Sequence, residues 1–224
     1  MFNKFFWGSK VNSKAIHWAA WNKVCGVLDE GGLGCKSLFE TALLFSHKLW
    51  FSFRAKVSLW ARFMNVKYCN NMNPLLCVFK NTDSFTWKRL CNIKWEAENF
   101  VQWGLGRGDI FFWQDKWLGD YSIDSYLSTH TLESCKVSSF IMNNVWNVEK
   151  LNSCVPNCLV DIIKEIPLQV SCNDSILCSA TSNGKFHLGK IWDKVRISYD
   201  KNPRFTAIWH SSFPLLILRL FGDV

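Results

Sequence analysis

The chain has 224 residues, 49% of them apolar, and carries 26 Lys and Arg against 18 Asp and Glu, a net charge of +8. This apolar share excludes a disordered tail, and no apolar run is long enough to cross a bilayer as a helix. The charge is uneven: residues 1–67 hold ten basic and three acidic side chains, a net of +7, whereas residues 68–224 hold sixteen and fifteen, a net of +1.

In chain order, residues 14–25 read as a helix, with Ile16, Ala20 and Val24 on one stripe and Trp18, Trp21 and Cys25 on the next. Gly26 stops it, and Glu30 to Gly34 forms a glycine turn. Ser37, with Glu40 three residues on, predicts a capping box. The helix it opens carries a stripe of Leu38, Ala42, Phe45 and Leu49, with Trp50 and Phe53 alongside. A short helix from about Leu59 to Tyr68 ends at the breaker Asn70 to Pro74, the first domain boundary. Ser84 to Gln102 reads as a third long helix with Trp87, Leu90, Cys91 and Trp95 on one side.

Gly104 to Asp109 forces a turn, and Ile110 to Trp113 reads as a strand with alternating faces. Residues 119–145 look loop-rich. Pro156 opens a helix with Leu159, Ile162, Ile163 and Ile166, closed by Pro167. Ile176 to Ala180 and Lys185 to Leu188, joined through Ser182-Asn183-Gly184, predict a hairpin. Leu188, Ile191, Trp192 and Val195 mark a last amphipathic helix. The fold class these elements predict is α+β, mainly α: a helical N-terminal bundle with a smaller mixed part containing short hairpins.

Ten cysteines at irregular spacing, without a secretory signal, read as reduced and mostly buried thiols in an intracellular protein, nuclear or cytoplasmic. Cys154, Cys158, Cys172 and Cys178 lie close in sequence, but their spacing is not that of a zinc ribbon, and Cys158 falls within an apolar helical pattern. No metal and no cofactor are expected. Gly104-x-Gly106-x-Gly108 lacks the spacing and the following helix of a dinucleotide-binding loop, so it reads as a turn. Arg107-Gly108-Asp109 reads as a chance tripeptide.

Four ordered blocks resemble one family. The first is His17-Trp18, Trp21, Cys25, Glu30-Gly31-Gly32-Leu33-Gly34, Ala42-Leu43-Leu44 and Lys48-Leu49-Trp50, continued by Phe53-Arg54, Leu59-Trp60 and Lys67-Tyr68. The second is Trp103-Gly104-Leu105-Gly106, Ile110, Phe112-Trp113, Asp115 and Trp117-Leu118-Gly119. The third is Gly184-Lys185-Phe186 with the helix through Trp192, and the fourth is Ile208-Trp209-His210 with Phe213-Pro214-Leu215. Together they resemble plant non-LTR (LINE-type) retrotransposon reverse transcriptases, from just downstream of the polymerase core to the start of the zinc-binding-type region.

The resemblance implies a thumb-like basic helical region at 1–73, a helix, glycine turn and strand at 74–120, and a mixed region at 121–224 ending before the zinc ligands. The family's polymerase uses an aromatic-x-Asp-Asp motif to hold two metal ions, and this chain has no Asp-Asp pair. The expectation is therefore a non-catalytic middle piece, with no small-molecule substrate and no membrane partner. Its expected partner is RNA or DNA backbone. Lys10, Lys14, Lys23, Lys36, Lys48, Arg54 and Lys56 are the phosphate-facing set that charge and resemblance together imply. The competing reading is a degenerate reading frame with no selected activity.

Overall fold

The computed structural model describes residues 21–127, 134–169 and 171–208. The described residues divide into two compact units, one drawn from residues up to Leu43 and from Trp192 onward, the other from those between Leu44 and Ile191. Asn73 and Pro74 are both buried inside the second unit. The elements are mainly helical with short antiparallel strands, as the sequence predicted.

In the first unit a short helix, α1 (Trp21–Val24), leads into a 3-10 turn at Leu28–Glu30. The loop after α1 closes on itself. Leu33 N–H donates to Val24 O at 2.9 Å and Gly34 N–H to Gly26 O at 2.9 Å, so the two ends of the segment run side by side. Gly31 sits at φ 87°, and a Cβ there would stand 3.1 Å from the Phe205 ring, so both conformation and space require glycine.

Glu30 joins this loop to the returning chain. It accepts from both terminal nitrogens of Arg196 at 2.6 Å and from Tyr199 N–H at 3.0 Å. Next to it, Asp29 holds Lys201 at 2.6 Å and its carbonyl accepts from Asn202 N–H at 3.0 Å. The helix that follows, α9 (Pro203–Ile208), packs against the 3-10 turn.

Helix α2 (Leu38–Ala55) begins with the capping box as predicted: Glu40 N–H donates to Ser37 Oγ at 3.1 Å, and Ser37 N–H donates back to Glu40 Oε2 at 2.9 Å. The stripe expected of it does not face the interior. Leu38, Ala42 and Phe45 are exposed, and the buried side is Leu44, Ser46, His47, Trp50, Phe53 and Arg54. Polar residues on that side conceal it from a hydrophobicity pattern. Helix α3 (Leu59–Cys69) is capped by Ser58 and stopped by Asn70 and Asn71, both in the left-handed region.

Helix α4 (Phe85–Glu98) starts on a Ser84 cap and ends four residues before Gln102, because Val101–Gly104 leaves the helix as strand β1. Trp87 lies at the centre of an aromatic cluster: it stacks on Tyr68 at 4.7 Å and takes the edge of Phe53 at 5.8 Å. Trp95, expected on the buried side, is 61% exposed.

Ile110 to Trp113 is not a strand. Phe111 forms one bridge to Lys136, and all four residues are buried with no alternation. The segment enters the main core among Phe112, Trp117, Phe140, Trp146, Leu151 and Ile163, where Phe112 and Phe140 stack at 3.9 Å. The stretch read as loop holds helix α5 (Ile123–Leu127), a 3-10 turn at Val137–Phe140, and a hairpin of β2 (Ile141–Met142) with β3 (Val145–Trp146). Asn143 and Asn144 turn that hairpin with φ of 53° and 61°.

Helices α6 (Val148–Cys154) and α7 (Asn157–Lys164) follow, the latter opening after Pro156 as predicted. Strand β4 (Ser175–Cys178) does not pair with residues 185–188. It pairs antiparallel with β1, Val101 opposite Cys178. The expected turn keeps Cys178 N–H to Gly184 O, at 2.7 Å, and Thr181 Oγ1 to Lys185 O, at 2.8 Å. Helix α8 (Leu188–Val195) buries Ile191 and Trp192 as the pattern required.

One pH dependence follows from the first unit. Hydrogen bonds from Arg196 outweigh burial and hold the Glu30 carboxyl down to about 2, below its ordinary 4.5. A depressed carboxylate contributes its stability above the unfolded value and loses it as pH falls through the folded one. Acid titration should therefore release residues 196–202 between those two values. The assigned indole N–H resonance of Trp192, with Arg196 over its ring at 5.1 Å, reads the event in a two-dimensional NMR spectrum. Glu30→Gln should give a flat trace across the same window.

Candidate functional site

Within the second unit, four separate segments converge on one guanidinium. Arg54, in the last turn of α2, is fully buried. Its Nη2 donates to Glu98 Oε1 at 3.1 Å, from the end of α4, and to Asp115 Oδ1. Glu98 also accepts from Trp50 Nε1 at 2.7 Å. Asp115 accepts from Asn73 Nδ2 at 3.0 Å and from Phe111 N–H at 2.9 Å. The Trp103 ring closes one side, 5.3 Å from the guanidinium carbon.

Burial alone would lower the Arg54 value, but the charges of Asp115 and Glu98 more than offset it and lock the guanidinium in its charged form. Burial pushes the Glu98 carboxyl above the usual range, partly countered by Arg54. A second buried cation, Lys94, ends a different chain path. Its Nζ donates to Leu75 O at 2.6 Å and Cys77 O at 2.7 Å, and burial lowers its value.

The glycine turn is held by a carboxylate that its sequence did not reveal. Asp174 Oδ1 accepts from Gly106 N–H at 2.6 Å and Gly108 N–H at 3.0 Å, while Oδ2 accepts from Asp109 N–H at 2.5 Å. A Cβ at Gly106 would fall 2.5 Å from Cys172 O, and Gly108 has φ 80°, so the glycines serve close approach and a left-handed turn. Three converging N–H groups resemble an anion cradle, yet here the protein's own carboxylate fills it.

Between this turn and the end of α2 lies an open cleft of about 190 Å³, lined by Arg54, Lys56, Trp103, Phe111, Asp109 and Asp174 among others. Its acids are engaged: Asp174 by the turn, Asp115 by Arg54, and Asp109 by Lys136 at 3.1 Å. Lys56 stands at its edge at φ 54°, with Nζ 5.9 Å from the Phe111 ring centre. Although Lys56 is exposed to solvent, the cleft wall partly desolvates its ammonium, and this, then the charges of Arg54 and Lys136, lower its value.

The residues expected to face phosphate separate into three groups. Lys10 and Lys14 lie outside the described residues. Lys23 and Lys36 are exposed in the first unit, Lys36 resting over Trp192 at 4.7 Å, and Lys48 and Lys56 are exposed in the second. Arg54 is the correction. It is sealed inside and spends its charge on Glu98 and Asp115, so it offers nothing to a phosphate. Sequence reasoning missed Glu98, Asn73 and Asp174, each an ordinary polar residue at a helix end or in a loop. Phe53-Arg54 and Asp115 did stand in two of the ordered blocks, and they meet here.

Two plant proteins are similar to the chain. A "Putative ribonuclease H protein" of Arabidopsis thaliana is 31% identical over 119 residues, 51% of this chain and 19% of that protein. An "Uncharacterized mitochondrial protein" of Arabidopsis thaliana is 28% identical over 124 residues, 52% of this chain and 78% of that protein. The chain thus spans about a fifth of the length of the first relative. No family model matches the chain, and no solved structure matches it. Among the described residues, no helix is long and apolar enough to cross a membrane.

The Arg54 cluster generates a stability prediction. Arg54→Met strands two buried carboxylates, a loss of about 3–5 kcal/mol, which is a large part of the ~5–15 kcal/mol typical of a domain. Arg54→Lys should recover little, because a compact ammonium lacks the planar fork that addresses two carboxylates. Chemical denaturation midpoints of the three proteins check this. A wild-type midpoint for Arg54→Met would show that the cluster contributes no stability.

Proposed function

We propose that the chain is a piece of a retroelement-derived plant protein, from the region between a LINE-type polymerase core and the zinc-binding-type region, and that it binds nucleic-acid backbone without performing polymerase chemistry. The observation that carries the binding is the concentration of charge, +7 in residues 1–67 against +1 in the remainder. Four of the seven expected cations, Lys23, Lys36, Lys48 and Lys56, stand exposed. The origin is supported by the four ordered sequence blocks and by two relatives from one plant. The ribonuclease H in one relative's name belongs to a protein of which this chain covers 19%, so it bears on origin more than on activity.

Binding of this kind is electrostatic and indifferent to sequence. Lysines neutralise phosphates and release counterions, and the affinity falls with salt at a slope of about −0.9 per phosphate. Three or four engaged lysines predict an affinity drop of about 40- to 150-fold between 50 and 200 mM salt. Fluorescence anisotropy on a primer–template duplex measures it. Lys48→Gln and Lys56→Gln should each flatten the slope by about one unit while leaving the fold intact. An affinity that does not respond to salt would overturn the proposal.

A relic without selected activity is the second reading. It draws on large apolar side chains left in solvent, among them Phe85 at 89% and Phe39 at 79% exposure. Cooperative unfolding together with salt-dependent binding would exclude it.

A further inference from the structure

The loop that follows α1 brings two cysteines together. Leu33 N–H pairs with Val24 O and Gly34 N–H with Gly26 O, both at 2.9 Å, so Cys25 and Cys35 lie at the matched ends of a closed loop. Gly26 and Gly32 permit the approach, since a Cβ on Gly32 would stand 2.2 Å from Gly26 O. Cys35 Sγ lies 4.0 Å from Val24 O, the carbonyl that joins Val24 to Cys25, so the two cysteines are neighbours across the loop. They differ in access: Cys25 is 2% exposed, whereas Cys35 is exposed to solvent.

We propose that Cys25 and Cys35 form a redox-responsive dithiol, oxidised by a small-molecule disulfide of the glutathione type. The Cys35 thiolate attacks one sulfur of the oxidised glutathione. A Cys35–glutathione bond forms, the glutathione S–S bond breaks, and the first glutathione leaves as a thiol carrying the Cys35 proton. Cys25 then attacks the Cys35 sulfur, a Cys25–Cys35 bond forms, and the second glutathione leaves with the Cys25 proton. Two cysteines are oxidised and one disulfide is reduced to two thiols, so electrons and protons balance.

The order of events follows from exposure, since only Cys35 can meet a reagent from solvent. Cys25 is held as a thiol: burial first, then the neighbouring Cys35 and Glu40 charges, push it up to about 11. Once capped by glutathione, Cys35 can carry no charge to oppose ionisation of Cys25, which lifts one of these restraints. The product staples the loop carrying Asp29 and Glu30, the two residues that hold segment 196–202. Oxidation therefore clamps the attachment of the returning chain. This inference is independent of nucleic-acid binding.

The test uses the full chain, reduced, then exposed to oxidised glutathione and quenched with a maleimide. Trypsin cuts after Lys23 and Lys36, so a single peptide, Val24–Lys36, contains both cysteines. The expected product of the wild-type chain is this peptide without maleimide or glutathione and short of two hydrogens. Further cleavage after Glu30 should yield two halves that separate only on reduction. Cys25→Ala should instead hold glutathione on Cys35, and Cys25→Val repeats this with a side chain closer in volume. Cys35→Ser, at an exposed position, should leave Cys25 unmodified. Cys69 and Cys77, both buried, report an intact fold by staying unlabelled until denaturant is added. Glutathione retained on Cys35 of the wild-type chain to the same extent as in Cys25→Ala would overturn the proposal, as would an unreacted Cys35.

Discussion

A positive charge cannot be placed inside a protein unless something answers it. Arg54 is placed inside, and the second unit is arranged around the answer. Its two carboxylates come from different elements, Glu98 at the end of a helix and Asp115 in a loop, and each accepts further donors from Trp50, Asn73 and the Phe111 backbone. Oil-like packing tolerates small slides between elements, whereas a shared guanidinium does not. Helix α2, helix α4, the Asn73 turn and the loop at Phe111 are thereby set in register with one another. The adjoining apolar core around Phe112 can then pack without having to specify that register itself.

This geometry bears on how the basic character of the chain is read. Net charge counts Arg54 as if it faced solvent, and its helical neighbour Lys48 looks equivalent in the sequence. Only the structure separates a cation neutralised within the fold from one available outside it. The lysines that remain exposed occur in both compact units, and lysine, as a solvated point charge on a long stem, suits contact with a phosphate chain that presents no fixed pattern.

Legibility in the sequence followed the range of the interaction. Local signals were readable: the Ser37 and Glu40 capping box, the Ser84 start, the Asn70-Asn71 stop, and the helix after Pro156 all depend on neighbours within a turn. The face of α2 was misread because its buried side includes Ser46, His47 and Arg54, which a hydrophobic stripe does not count. The Ile110–Trp113 segment was misread because full burial removes the alternation that marks a half-exposed strand. Of the candidate site, Arg54 and Asp115 were visible as residues but not as partners. Glu98, Asn73 and Asp174 act at sequence separations of 42 to 68 residues, and no local pattern announces them.

The pairing of β1 with β4 has a kinetic consequence. Val101 meets Cys178, and Asp174 reaches back to the turn at Gly106, so these contacts enclose the chain between them as one long loop. The hairpin at Ile141 to Trp146 and the contacting helices α6 and α7 lie within that loop and close over short distances. On a ribosome the inner elements can form as they emerge, while β1 waits with an unpaired edge until some seventy further residues have been made. A nascent chain paused before Ser175 would present that edge to its neighbours, which makes the rate of translation through this interval a determinant of whether the protein folds or aggregates.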